Sequence, residues 1–168
     1  MRLLVISDTH GYLDAARSVV RELGPWDHVV HLGDSALDAV ALAAELGIDI
    51  LALRGNNEYP ESPPSKDALV FEAGGVGFYA LHGHDLDVNH WDAGLDRDLA
   101  AIARRADEAG ARVALFGHTH VPLVRTLNQV LLVNPGAMSL GDQKKTYAEI
   151  TVDDGRVQAK IREWGKKI

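Results

Sequence analysis

Leu3-Leu4-Val5-Ile6-Ser7-Asp8-Thr9-His10-Gly11 is the stretch on which the reading of the fold turns. Its first four residues are continuously apolar, where a half-exposed strand would alternate, so residues 2–7 are expected to form a strand buried on both faces. A carboxylate and an imidazole two residues apart then emerge where that strand ends. Such a pair can be half of a metal site, or it can be an ordinary polar turn. The difference lies in whether later strands bring further donors to the same edge.

The chain after this stretch repeats the pattern. Leu13, Ala16, Val19, Val20 and Leu23 recur at helical spacing before Gly24-Pro25, which predicts a helix over 13–23. A strand is expected over 28–32, ending at Gly33-Asp34, then a helix over 36–46 closed by Gly47. A third strand is expected over 48–53, ending at Gly55-Asn56-Asn57. Strands that alternate with helices imply parallel pairing and right-handed crossovers. Pro60, Pro63 and Pro64 make 59–66 an irregular loop. Strands over 68–73 and 76–81 flank Gly74-Gly75, and the second ends in His82-Gly83-His84. The polar stretch 86–94, with Trp91, reads as a loop. A helix over 96–109 with Asp96 or a neighbour as cap precedes a strand over 113–116 that ends in Gly117-His118-Thr119-His120. Hairpins over 124–133 and 146–162 complete the chain, so its last third is expected to be antiparallel. Two sheets with helices on their outer faces would bury both halves, in one domain spanning 1–168.

Composition narrows the functional classes. The chain has 168 residues, 46% of them hydrophobic, and a net charge of −7, which supports a real core and argues against broad binding to nucleic acid or anionic membranes. It contains no cysteine, which excludes thiolate chemistry and disulfides. No apolar run approaches the ~18 residues of a membrane span, and the first residues lack the layout of a secretion signal. These features predict a soluble, cytoplasmic protein, and a homo-oligomer is compatible with them.

Asp8, His10, Asp34, Asn56, His82, His118 and His120 all fall at or just beyond the C-terminal end of an expected strand, the edge where sites form in open α/β sheets. Gly11, Gly33, Gly55, Gly83 and Gly117 accompany them, suited to tight exit turns and close backbone approach. A single Gly-Asp after a strand is an ordinary turn. Seven polar groups gathered without partners would be costly to bury, so the ordered set points to a site.

Asp8-x-His10, Gly33-Asp34, Gly55-Asn56, His82-Gly-His84 and Gly117-His118-x-His120 together resemble the calcineurin-like metallophosphoesterases, in particular their short bacterial and archaeal phosphodiesterases, which share a fold with a retromer subunit. The resemblance implies a four-layer αββα sandwich of two mixed β-sheets flanked by helices. It also implies two metals. Asp8, His10, Asp34 and His120 would hold the first; Asp34, Asn56, His82 and His118 the second, with Asp34 bridging. Mixed nitrogen and oxygen donors suit divalent transition metals, with manganese foremost and zinc, nickel, iron or cobalt also accommodated, rather than calcium. The implied reaction is hydrolysis of a small phosphoester by a metal-bridging hydroxide.

The larger phosphatases of that superfamily carry a histidine after the Gly-Asn, where this chain has Asn57 and then Glu58. An amide has no labile proton at neutral pH, which turns the expectation toward diesters with better leaving groups or toward another acid. His84 is the candidate, as acid, as phosphate contact or as a partner of His82; Asn56 can orient a phosphate oxygen. Arg54 can sense substrate charge or make a structural ion pair, and His31 can support the ligands from behind. Trp91 with Leu86 can wall a cleft, Asn134-Pro135-Gly136 can brace the rim, and His28 and His90 read as surface or loop residues. Two alternatives stand beside the enzyme: a non-catalytic interaction scaffold of the same fold that retains metal, and a metal-binding regulatory module.

Overall fold

The structure is a computed structural model that describes residues 1–63, 65–86, 95–139 and 144–165. In chain order the elements are β1 (Arg2–Ile6), α1 (Asp14–Leu23), β2 (His28–His31), α2 (Ala36–Leu46), β3 (Ile50–Ala52), β4 (Ala68–Ala73), β5 (Val76–Leu81), a short 3-10 turn (His84–Leu86), α3 (Leu95–Glu108), β6 (Val113–Leu115), β7 (Leu123–Leu127), β8 (Val130–Asn134), β9 (Thr146–Asp153) and β10 (Arg156–Glu163). They form two five-stranded mixed sheets, ordered β10-β9-β1-β2-β3 and β4-β5-β6-β8-β7.

The apolar run at the N-terminus is continuous because its two faces serve different layers. Leu3 and Val5 enter the core between the sheets, while Leu4 and Ile6 pack beneath α1 and α2. The second sheet repeats the division: Val113 and Leu115 of β6 face the first sheet, and Ala114 faces Leu99, Ile102 and Ala106 of α3. Helix, sheet, sheet and helix are thus four layers held by three apolar clusters, the αββα sandwich expected from the sequence. Burying one such leucine or isoleucine contributes about 1.5–3 kcal/mol. Gly47 ends α2 in the left-handed region, and its N–H donates to the Ala43 carbonyl at 2.9 Å, as a helix-terminating glycine should.

Three expectations need correction. The third strand is shorter than 48–53 and comprises 50–52; beyond it the Leu53 N–H still donates to the His31 carbonyl at 3.0 Å, while Leu53 forms an isolated bridge to Lys66. The last third is not wholly antiparallel: β8 runs parallel to β6, because the β7–β8 hairpin adds to the second sheet by its returning strand. The β9–β10 hairpin goes the other way and closes against β1 in the first sheet. Asp96 lies inside the first turn of α3 rather than capping it, and its carboxylate accepts from Arg125 at 2.6 Å. His90, Trp91 and most of the 86–94 loop lie outside the described residues.

β1, β2 and β3 run parallel in one sheet, as do β5 and β6 in the other. Their C-terminal ends meet at one edge. There His82 Nδ1 donates to the Leu32 carbonyl at 2.8 Å, and the His118 N–H donates to Asp8 Oδ2 at 3.2 Å, tying one sheet to the other.

Candidate metal centre

The strand exits bend sharply at this edge. Asp8, His10, Asp34, His118 and His120 all have positive φ, between 47° and 66°. For residues other than glycine the left-handed region costs about 1–2 kcal/mol each, and such strain is retained where the surroundings enforce it. The glycines divide into two kinds. Gly33 needs its φ of 111° for the turn. Gly117 does not have positive φ; it is bare because a Cβ there would meet Ser7 Oγ and lie 2.9 Å from Asp8 Oδ2.

All seven residues singled out by the sequence converge. His120 Nε2 lies 3.1 Å from Asp8 Oδ1 and 3.4 Å from His10 Nε2. The Asp34 carboxylate stands between two groups, with Oδ2 3.8 Å from His10 Nε2 and Oδ1 3.5 Å from His82 Nε2. Asn56 Oδ1 lies 3.2 Å from His82 Nε2, and the His118 ring centroid is 5.3 Å from that of His82. The donor atoms of Asp8, His10 and His120 fall within 4.8 Å of one another, as do those of Asp8, Asp34 and His82. Asp8 therefore takes part in both groupings.

This geometry suits a cation. A carbonyl only accepts, so the Leu32 contact places the proton of His82 on Nδ1 and aims its Nε2 at two further acceptors, Asn56 Oδ1 and Asp34 Oδ1. None of these three atoms can donate to the others, so a proton or a metal ion between them would relieve the contact. Two donors held tetrahedrally at ~2.1 Å from one ion lie about 3.4 Å apart. The observed separations of 3.1, 3.2, 3.4 and 3.5 Å match that spacing.

The titration of these groups follows from the same contacts. Burial pushes the Asp34 carboxyl up, but hydrogen bonds and charge from His82, together with Asn57, outweigh it and hold the group well below the usual range. Burial opposes charge on His82, yet Asp34 and Asp8 raise it overall. The Asp8 hydrogen bond raises His120 against burial, and burial with His82 nearby lowers His118.

His31 braces the turns of the candidate donors from behind. The Gly33 N–H donates to its Nδ1 at 3.2 Å, so the ring proton sits on Nε2 and reaches Thr9 Oγ1 at 3.0 Å. Thr9 in turn donates to Asp38 Oδ2 at 2.6 Å, and Asp38 also accepts the Gly11 N–H at 2.7 Å. This chain, with Thr9 and His31 fully buried, locks the turn carrying Asp8 and His10 to the turn carrying Asp34. Asn134 likewise braces the rim, with Nδ2 donating to the Gly117 carbonyl at 2.9 Å and to Thr9's counterpart on the other sheet, Thr119 Oγ1, at 3.0 Å.

Some contributors escaped the sequence reading. Asn57, read there as a missing acid, donates to Asp34 twice: its N–H to Oδ1 at 2.7 Å and its Nδ2 to Oδ2 at 2.8 Å. Glu58 clamps two loops, accepting the Ala36 N–H at the start of α2 and the Gly55 N–H, both at 2.8 Å. Asp38 was legible in principle, as an acid on the buried stripe of Ala36, Ala39 and Leu42. His84 makes no hydrogen bond to His82 among the described residues; it is exposed and sets its ring 5.4 Å from His82 and 6.3 Å from His118.

The profile of the calcineurin-like phosphoesterase superfamily domain matches residues 1–155. The chain belongs to that superfamily. It is 31% identical over 157 residues to the probable metallophosphoesterase YsnB of Bacillus subtilis, covering 92% of this chain and 86% of that protein. It is 25% identical over 179 residues to Phosphodiesterase MJ0936 of Methanocaldococcus jannaschii, covering 91% and 100%. A predicted phosphoesterase from Streptococcus pneumoniae superposes with a TM-score of 0.75 at 28% identity, over 96% of this chain and 88% of that one. Vps29 of Entamoeba histolytica, solved with Zn2+, superposes at 0.69 with 16% identity, over 97% and 99%, a likeness of fold alone. Membership in this superfamily, with relatives named metallophosphoesterase and phosphodiesterase, supports a phosphoesterase hydrolase. No described helix is long and apolar enough to cross a membrane.

Proposed function

We propose that this metallophosphoesterase hydrolyses small phosphodiesters at a two-metal centre. The observation that carries the reading is the Asp34 carboxylate, whose Oδ2 lies 3.8 Å from His10 Nε2 and whose Oδ1 lies 3.5 Å from His82 Nε2, so that it could be shared by two ions. Asp8, His10 and His120 would complete one site, and Asn56, His82 and His118 the other. Two divalent ions, with manganese first among transition metals, supply Lewis acidity toward a phosphate oxygen and water acidic enough to attack. Only two of the seven ligands are anionic, so the loaded centre stays cationic and attracts phosphate. Asn57 holds Asp34 in its bridging orientation. The Leu32 carbonyl keeps the His82 lone pair turned inward. The exposed Asn56 would orient a phosphate oxygen, and the exposed His84 would give a proton to the leaving alcohol. Without a histidine at position 57, diesters with good leaving groups are favoured over monoesters.

The test is hydrolysis of bis(4-nitrophenyl) phosphate and 4-nitrophenyl phosphate with Mn, Zn, Ni, Co and Fe in turn. Diester turnover above monoester turnover is expected. An Asp34→Asn variant should fold normally and lose turnover; wild-type rate in that variant would remove the bridging role. The Vps29 likeness is compatible with a scaffold of the same fold, and absence of turnover with every metal would select it.

A further inference from the structure

A cavity of about 540 Å³ opens beside the centre, lined by Asn56, His82 and His84 and also by Arg54, Tyr79 and Arg105. Its volume lies in the range that holds a nucleotide-sized molecule. The phosphoester itself needs only the ligand end, so the remaining space is available to what the phosphorus carries.

The charges along this wall are not equivalent. Arg105 is bound to Asp85 at 2.6 Å. Both oxygens of Glu58 are occupied by backbone N–H groups. Arg54 is exposed, lies two residues past the end of β3 and adjoins Gly55-Asn56, yet its guanidinium has no carboxylate partner among the described residues. The structural ion pair considered for it from sequence is therefore absent there. Asp67 shares the wall and is suited to accept from a hydroxyl. A planar guanidinium with free donors beside a phosphoester site matches a second phosphate bidentately.

We propose that this cavity is the subsite for one ester arm of the substrate, and that Arg54 selects arms carrying a phosphate of their own. The substrate class is then a phosphodiester with a second, terminal phosphate on a hydroxylated, nucleotide-sized arm. This rests on the hydrolase reading but is tested apart from it.

The experiment is calorimetric titration of the Mn2+-loaded protein with thymidine 3′,5′-bisphosphate and with thymidine 5′-monophosphate. The wild type should bind the bisphosphate about tenfold more tightly, the scale of one charge-assisted contact at a partly exposed site. Arg54→Gln should bring the ratio to within about twofold of unity by weakening the bisphosphate more than the monophosphate, with Arg54→Lys in between. Arg54 is exposed, so the variants should melt with the wild type, which a thermal scan checks. A wild-type ratio near unity, or a ratio unchanged in Arg54→Gln, overturns the proposal. Binding needs no turnover. A kept ratio without nitrophenyl diester hydrolysis ends the hydrolase reading alone, and hydrolysis without a ratio ends the subsite alone.

Discussion

Thr9→Val is the most direct probe of what holds the centre in shape. The substitution preserves volume and shape and removes one hydroxyl from a fully buried position. That hydroxyl donates to Asp38 at 2.6 Å and receives the His31 Nε2 proton at 3.0 Å. Losing the first bond, which is charge-assisted, costs about 1.5–3 kcal/mol. The second leaves a buried ring N–H without an acceptor, at about 1–3 kcal/mol. Asp38 keeps the Gly11 N–H, which moderates the loss, so the expected net destabilisation is about 3 kcal/mol. For a chain of this length that is a fall of about 6–12 °C in Tm. The assay is urea unfolding followed by tryptophan fluorescence, with a chelator present so that metal binding adds nothing to either side. Loss of less than ~1 kcal/mol would refute the argument that this chain, rather than the surrounding apolar packing, fixes the two turns.

Other outcomes follow from the same contacts. Burial lowers the His31 imidazole to about 4, against the opposing pull of Asp8, Asp38 and Glu58. The unfolded chain then binds a proton that the folded chain refuses between the ordinary value near 6.5 and about 4. Stability of the metal-free protein should fall as pH drops through that window and level off below it, by about 3 kcal/mol in total, and His31→Gln should flatten that part of the pH–stability curve. Gly117→Ala should force its new Cβ against Ser7 and Asp8, costing about 1–3 kcal/mol and weakening metal affinity in a calorimetric titration. Asn57→Ala should free the Asp34 carboxylate on one side and lower metal affinity or kcat/KM by about 10–100-fold with an intact fold; an unchanged affinity and rate would deny it any orienting role. Glu58→Ala should leave the Ala36 and Gly55 N–H groups without their acceptor and destabilise by about 2–4 kcal/mol in a denaturant melt.

The layers were legible in residue order, as was the set of candidate donors. A short continuous apolar run such as Leu3–Ile6 suits a strand covered on both faces, and the structure covers it with a sheet and with helices. Donors placed at each strand exit, from Asp8 to His120, share an edge because parallel strands end together. Which strands become neighbours was a tertiary matter: nothing in Thr146–Asp153 marks it for β1 rather than for the second sheet, because that pairing is set by non-local burial. The tertiary structure also decided the roles of polar residues that look alike in one dimension. Asn57 reads as an acid that is missing, and only the fold shows its amide bonded to Asp34. Glu58, Thr9 and Asp38 gain their importance from hydrogen bonds between segments 20 or more residues apart, 22 for Glu58 to Ala36 and 29 for Thr9 to Asp38. Donor types are written in the sequence because coordination chemistry needs particular atoms. The contacts that aim those atoms depend on distances in space, which residue order does not contain.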